Sequence, residues 1–298
     1  GKSVSTGTQN TLVGGLSGDA INTGHFNTVL GYNALTSATS DTANVAIGRG
    51  ALSSQNGAGT AYNIAVGYNA ASSLTTATQN TIIGGLAGDA LTTGSSNVAL
   101  GYSALSGEDT GARNTALGYN SLLSLNFDGN GYNTAVGYDS GRFISTGVQN
   151  TIMGGLAGDA LTTGSRNVAI GYLALSTEDE TSNVVAVGWG ALAAQNAGVD
   201  TFNVAVGYNA GTSVTSGYRN TFLGGAAGDA IDTGYENVAV GTSALGSEDS
   251  GRKNVAIGDS ALTNQNSDVD NYNVAVGYYA GQAVTTGTQN TILGGLAG

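Results

Sequence analysis

The chain has 298 residues and a formal net charge of −12, and it contains 50 glycines but no cysteine and no proline. The acidic balance disfavours nucleic acid and anionic membrane surfaces as partners. The lack of cysteine excludes an all-thiolate metal site, and glycine without proline or a three-residue period excludes collagen. No apolar run reaches the length of a membrane span.

Seventeen glycines recur at fixed intervals, and we call them the periodic glycines. The intervals run 17, 17, 19 and 17 residues and then repeat in that order, so four units make a block of 70 residues. Periods of this length are typical of solenoids, in which each coil contacts only its neighbours. The periodic glycines, which we predict to be structural, are Gly14, Gly31, Gly48, Gly67, Gly84, Gly101, Gly118, Gly137, Gly154, Gly171, Gly188, Gly207, Gly224, Gly241, Gly258, Gly277 and Gly294.

Each periodic glycine closes a short segment with the pattern of a β-strand. The first unit reads Asn-Thr-Leu-Val-Gly (10–14), the second Asn-Thr-Val-Leu-Gly (27–31) and the third Asn-Val-Ala-Ile-Gly (44–48), and the pattern continues to 290–294. Alternation with β-branched residues predicts a strand. We therefore predict an all-β fold, a parallel β-solenoid of 17 stacked coils of 17–19 residues. At about 4.8 Å per strand the rod would be roughly 80 Å long.

The whole chain, 1–298, is expected to be one continuous solenoid cut from a longer fibre, with super-repeats starting near residues 10, 80, 150, 220 and 290. In the coil that begins at Asn97, the expected inward groups are Val98, Leu100, Ala104 and Leu105. Burial of so few large apolar groups in a single chain would barely offset the conformational entropy that the chain loses on folding. We therefore expect association of several chains about a common axis.

Three variations on the unit call for an interpretation. In the coils with the string GGLAGDAL, the residue two before the periodic glycine is large, as at Ile82, and the residue after it is Gly instead of Tyr. This exchange predicts packing compensation between the two positions. The asparagine that precedes each strand predicts a stacked amide ladder. One unit carries an extra valine after Asn183, which predicts a β-bulge.

The strings NVAIGRGAL, NTALGYNSL, NVAIGYLAL and NVAVGYNAG resemble two related repeat families. One is the head repeat of trimeric autotransporter adhesins (YadA-like heads), built on an N-x-V-A-I-G core. The other is the N-T-A-x-G-Y-x-A-L repeat of phage tail fibres and fibre-like bacterial proteins. The resemblance covers the strand half of essentially every coil, although the coils are longer here than in the adhesin heads. It implies a homotrimer, extracellular on a cell surface or virion, that works in attachment.

The residue after the periodic glycine is aromatic in many coils and supplies the candidate binding residues. Exposed rings there would suit sugar stacking or surface adhesion, whereas rings that stack on one another would only shield the strands. The column consists of Tyr32, Tyr68, Tyr102, Tyr119, Tyr138, Tyr172, Trp189, Tyr208 and Tyr278.

The sequence offers few residues that could carry out catalysis or bind a metal ion. His25 is the only histidine and lies in a loop segment, TGHFN, that other blocks replace, so a nucleophile–histidine–acid arrangement has one base and no recurring partner. GGLAGDAL departs in order and spacing from the calcium-binding nonapeptides. Acidic loops begin at Glu108, Glu178 and Glu248 and could hold a hard cation, but a solvated loop is the simpler interpretation. We predict no catalytic residue, no cofactor and no metal.

These observations predict a structural and adhesive extracellular fibre segment, a rigid homotrimeric rod for surface or host attachment, with a cell-surface glycan or receptor as its partner. They predict no nucleic-acid partner and no membrane insertion by this segment. Two alternatives are a repeat carbohydrate-binding module that uses the aromatic column and an ice-binding solenoid. The second would need uninterrupted ranks of threonine, and here threonine alternates with valine.

Overall fold

The structure is a computed structural model that describes residues 1–57 and 59–298. The described residues contain no helix, and hence none that could span a membrane. They form 17 strands of three residues each, joined by turns. The chain divides into two compact units, residues 1–149 and residues 150–298. The predicted all-β parallel solenoid with one strand per periodic glycine is confirmed.

The strands occur at the predicted places in both units. In the first unit they are β1 (Thr11–Val13), β2 (Thr28–Leu30), β3 (Val45–Ile47), β4 (Ile64–Val66), β5 (Thr81–Ile83), β6 (Val98–Leu100), β7 (Thr115–Leu117) and β8 (Thr134–Val136). In the second unit they are β9 (Thr151–Met153), β10 (Val168–Ile170), β11 (Val185–Val187), β12 (Val204–Val206), β13 (Thr221–Leu223), β14 (Val238–Val240), β15 (Val255–Ile257), β16 (Val274–Val276) and β17 (Thr291–Leu293).

Within each unit, consecutive strands pair in parallel and in register. In the first unit Leu100 is opposite Leu117, and Leu117 is opposite Val136, as the constant phase of the sequence predicts. The same register runs through the second unit, where Val168 is opposite Val185. Equivalent strand residues of successive coils therefore lie directly over one another, and each strand position forms a column within the unit.

The expectation that Val98 and Leu100 point inward is wrong. The middle residue of their strand, Ala99, is fully buried, whereas Val98 and Leu100 are each 40% exposed. Ala104 and Leu105 are buried, as expected. A three-residue strand shows alternation but not its phase, and here the small residue faces the core. The core is therefore built from the mid-strand column and from turn residues, and the larger aliphatic side chains of the strands face outward.

The periodic glycine permits a backbone approach that no side chain would allow. Gly118 has φ +138°, a left-handed conformation that favours glycine. A Cβ atom at this position would lie 2.2 Å from the carbonyl oxygen of Gly137, the next periodic glycine. Neither the backbone carbonyl nor the adjacent strand can move away without breaking the ladder. The periodic glycine therefore sets the closest contact between successive coils.

The predicted asparagine ladder is present. The Asn97 amide donates to the carbonyl oxygen of Gly111 (2.9 Å), and its Oδ1 accepts from the backbone N–H of Asn114 in the next coil (2.9 Å). The predicted bulge at Asn183 is wrong, because Val184 occupies the ladder position and the register of β10 with β11 is unbroken. The Val184 N–H still donates to Asn167 Oδ1 (3.0 Å).

The predicted packing exchange in the GGLAGDAL coils involves a different partner. Ile82 is fully buried, so it cannot exchange volume with the outward-facing position after the periodic glycine. Its compensating residue is Gly88, where an added Cβ would lie 3.4 Å from Ile82 Cδ1. Phe222 crowds Gly228 in the same way, at 2.5 Å. Large mid-strand residues therefore fill space that leucine occupies in other coils, such as Leu105.

We expect Gly118→Val to lower the free energy of unfolding by more than about 2 kcal/mol, because the new side chain meets the Gly137 carbonyl and the left-handed backbone. Gly225→Ala is the matched control, since nothing lies within 4 Å of a Cβ at that glycine. This control and the exposed change Asp128→Asn should each stay within about 0.5 kcal/mol. Denaturant unfolding of the three variants is the measurement, and equal losses for valine and the controls would refute the role of the close approach.

Candidate functional site

The outer faces of the strands carry two columns of apolar or threonine side chains. These are the first and third residues of each strand, such as Thr115 and Leu117, which are half-buried or exposed while the middle residue between them is buried. Leu30, Leu100 and Met153 are among the most exposed, at 48%, 40% and 41%. The first-residue column mixes threonine with valine and isoleucine, so threonine ranks are interrupted. Contiguous exposed apolar surface of this kind is typical of an interaction face.

The nine predicted aromatic residues are each between 46% and 60% exposed, and within each unit they follow the periodic glycines from coil to coil. Many of the rings also stack. Tyr119 lies between Tyr102 and Tyr138, with ring centroids 5.6 and 5.4 Å away and planes within 15°. Trp189 lies between Tyr172 and Tyr208. The rings are therefore exposed and many of them cover one another, while their binding to a sugar or a surface stays a prediction. A ring inside a stack presents its edge to solvent, and its faces are covered.

The column is interrupted where the residue after the periodic glycine is itself glycine, as at Gly85. The backbone N–H of Leu86 donates to the carbonyl oxygen of Tyr68 (2.9 Å), and the N–H of Ser103 donates to that of Gly85 (3.0 Å). Tyr68, Gly85 and Tyr102 are therefore consecutive members of the column. Gly85 leaves the Tyr68 ring without an aromatic neighbour on that side.

The prediction that the acidic loops are solvated is wrong for their glutamates, because Glu108, Glu178 and Glu248 are fully buried. They lie seven residues after a periodic glycine, a position that is aliphatic in many other coils, such as Leu91 and Ile144. This phase was the signal in the sequence that could have identified them as interior residues.

Each buried carboxylate joins two coils through backbone N–H groups. Glu108 accepts from Gly111 (2.7 Å) in its own turn and from Phe127 (3.3 Å) in the next coil. Glu248 accepts from Gly251 and Ser267 at its Oε1 and from the side chain of Asn271 at its Oε2. These hydrogen bonds satisfy donors that the turns would otherwise leave buried and unpaired.

Burial raises the pKa of Glu108 and of Glu248, because desolvation disfavours the charged form more than the backbone N–H groups favour it. The neighbouring carboxylates of Asp109 and Asp249 raise the pKa further. Glu108 and Glu248 therefore hold a proton more tightly in the folded chain than in the unfolded one.

The first block supplies the carboxylate from a different position. Ala38 takes the place of the buried glutamate, and Asp41, three residues later, replaces the glycine or threonine of the other blocks. Asp41 Oδ1 accepts from Gln55 Nε2 (2.9 Å) and from the Gly57 N–H (2.8 Å). A cleft of about 270 Å³ lies beside it, lined by Asp41, Gln55, Gly57, Gly59, Thr60, Ala61, Thr76 and Thr78.

A second aromatic group, which the sequence analysis did not assign, lies in the loops that open the strands of the second unit. Tyr218 and Tyr235 stack with centroids 4.6 Å apart, and the Arg252 guanidinium lies 5.1 Å from the Tyr235 centroid. Arg252 and Lys253 both pair with Asp270, at 3.7 and 2.5 Å. A single carboxylate is therefore shared by the two cations.

The remaining candidate for chemistry, His25, lies in a loop as the sequence indicated. Its Nδ1 accepts from the backbone N–H of Thr8 (3.0 Å), and its ring contacts Phe26. In the part of the chain that the structure describes, no three His, Cys, Asp or Glu side chains come together as a metal site requires. The features that recur are the outer strand columns and the aromatic column.

The raised pKa values predict that the buried glutamates make the chain less stable as the pH rises. The pKa of these glutamates in the folded state exceeds the usual 4.5. Their favourable contribution to the free energy of unfolding is therefore fully present below about pH 4.5, and it is lost as the pH rises through the folded-state pKa. Compared with a Glu108→Gln, Glu248→Gln double variant, the parent chain should gain free energy of unfolding as the pH falls from 8 to 4. Denaturant unfolding at several pH values measures this difference, and a difference that stays constant or grows with pH would contradict it.

No protein-family model matches this chain, and no curated protein matches it. The function proposed below therefore rests on the columns that the fold creates.

Proposed function

We propose that this chain is a structural and adhesive segment of an extracellular fibre, on a cell surface or a virion, and that it assembles as a homotrimer. The observation that carries the proposal is the outer face of the strands. In both units the first and third strand residues form in-register columns of Thr, Val, Ile and Leu that remain half exposed in the single chain. A second and a third copy would remove this surface from water.

The resemblance of the strand segments to trimeric adhesin and tail-fibre repeats supports three copies as the number. The repeat architecture supports a spacer role, because stability is supplied coil by coil and length can grow without a new core. The repeated aromatic column supports attachment by many weak contacts, which gain avidity from their number. The surface columns recur from coil to coil in each unit, and this recurrence makes them the best support for the proposal.

A repeat carbohydrate-binding role is the second candidate. The observation that favours it is the exposure of the aromatic column, since tyrosine presents an apolar ring with a polar hydroxyl at its edge. This role is compatible with a fibre, and the two differ only in whether this segment makes the contact or holds the contact at a distance.

Light scattering should give a solution mass near three times the chain mass of 29.3 kDa. The double change Leu100→Glu with Leu117→Glu places two charges in one outer column and should shift the mass toward a single chain, because buried unpaired charges are costly at an interface. The matched control is Thr93→Glu with Asn126→Glu, two exposed positions away from the strands, which should leave the mass unchanged. A stable monomer of the parent chain at micromolar concentration would overturn the trimer.

Attachment should weaken gradually as 70-residue blocks are deleted, because it is the sum of repeated contacts. Tyr102→Ala and Tyr172→Ala should each lower binding to an immobilised glycan array slightly, and the double variant should lower it more. Loss of binding in one step, with any single deletion, would place the contact at one site or outside this segment and leave the segment as a spacer.

A further inference from the structure

Neither the backbone conformation nor the packing of the core requires a glycine at the position that interrupts the aromatic column. Gly85 does not adopt a left-handed conformation, unlike its neighbour Gly84. A Cβ at Gly85 would meet only the Tyr102 ring, at 3.5 Å, which is an ordinary contact. The buried Ile82 is balanced by Gly88 rather than by Gly85. A larger residue would therefore fit, and what its absence creates is a gap between two exposed tyrosines.

The Tyr68 and Tyr102 rings border the gap, and each ring is contacted by a neighbouring side chain on the face that points away from Gly85. On the far side of Tyr68, the Arg49 guanidinium lies 5.4 Å from the ring centroid and donates to the Tyr68 hydroxyl (3.0 Å). On the far side of Tyr102, the Tyr119 ring is stacked at 5.6 Å with planes 15° apart. The ring surfaces left uncovered are therefore those that face one another across Gly85.

The width of the gap suits one six-membered ring. Tyr68 and Tyr102 are two coils apart, or about 10 Å at about 4.8 Å per strand. A ring inserted midway would lie at about 5 Å from each tyrosine, the separation at which rings stack. The floor is the glycine backbone, partly covered by the Tyr102 ring edge, and each tyrosine carries a hydroxyl at its ring tip as a hydrogen-bonding group.

We propose that Tyr68, Gly85 and Tyr102 form a sugar-binding notch that takes a single pyranose ring of a β-linked glucan between the two tyrosine faces. An equatorially substituted pyranose presents apolar C–H groups on both faces and hydroxyls around its edge, which matches apolar walls with polar tips. The inference rests on the proposed role in attachment and locates one of the repeated contacts at the interruption of the aromatic column. The rings inside a stack, such as Trp189, are not part of such a site because their faces are covered.

The chain has no cysteine, so one introduced thiol reports on the notch alone. In Gly85→Cys the thiol lies on the floor, and its alkylation by iodoacetamide should slow several-fold, in a saturable way, when cellohexaose is added. Gly225→Cys is the matched control: it occupies the same position of the same type of coil, but its column neighbours are Tyr208 and Thr242, so it has one aromatic wall. Its alkylation should change little with cellohexaose.

Adding Tyr68→Ala or Tyr102→Ala to Gly85→Cys should abolish the protection, while adding Trp189→Ala should leave it intact. Equal protection of the two thiols, or none at Gly85→Cys, would overturn the notch. Light scattering on the same samples separates this result from the fate of the trimer. If both thiols resist alkylation without sugar in a protein of trimeric mass, the column is covered between copies, which overturns the notch while the assembly stands.

Discussion

The fold depends on the distance at which one coil can lie against the next. At the periodic glycine the backbone of Gly118 approaches the carbonyl of Gly137 so closely that even a methyl group would collide with it. Four residues earlier, the asparagine ladder holds the same two coils together through buried side-chain hydrogen bonds. The periodic glycine position requires a residue without a side chain, and the ladder position requires asparagine. Together these two positions keep successive coils in register.

This register accounts for most of what could be predicted from the sequence. The strands, their parallel order and the pairing of Leu100 with Leu117 follow from the constant phase of the repeat. This phase is the same whichever side of the sheet faces the core. The side of the sheet that faces the core could not be predicted in the same way. Residue size suggested Leu100, but the turn after the glycine sends Ala104 and Leu105 inward together, because Leu105 adopts a left-handed backbone (φ +56°). The space that remains at the strand accommodates only a small residue, Ala99.

The same phase explains both the success and the failure at the candidate site. The aromatic residues after the periodic glycines are exposed, as their position outside the core requires. Their stacking could be anticipated, but the distinction between covered rings such as Tyr119 and uncovered ring faces such as that of Tyr68 depends on which neighbour is glycine. The burial of Glu108 was missed because a charged side chain in a turn normally stays in water. Here the turn directs it between coils, where backbone N–H groups replace the water.

The spacing of the strand pairs also has a consequence for how the chain acquires its structure. Every strand partner lies 17 or 19 residues away, which is about a tenth of the length of a 149-residue unit. Such a small relative separation is characteristic of helical proteins, and it favours fast folding even though all the regular structure is β. Each coil needs only its immediate predecessor as a template. Each unit can therefore fold while the chain is still being synthesised, one coil for each further 17 to 19 residues that emerge.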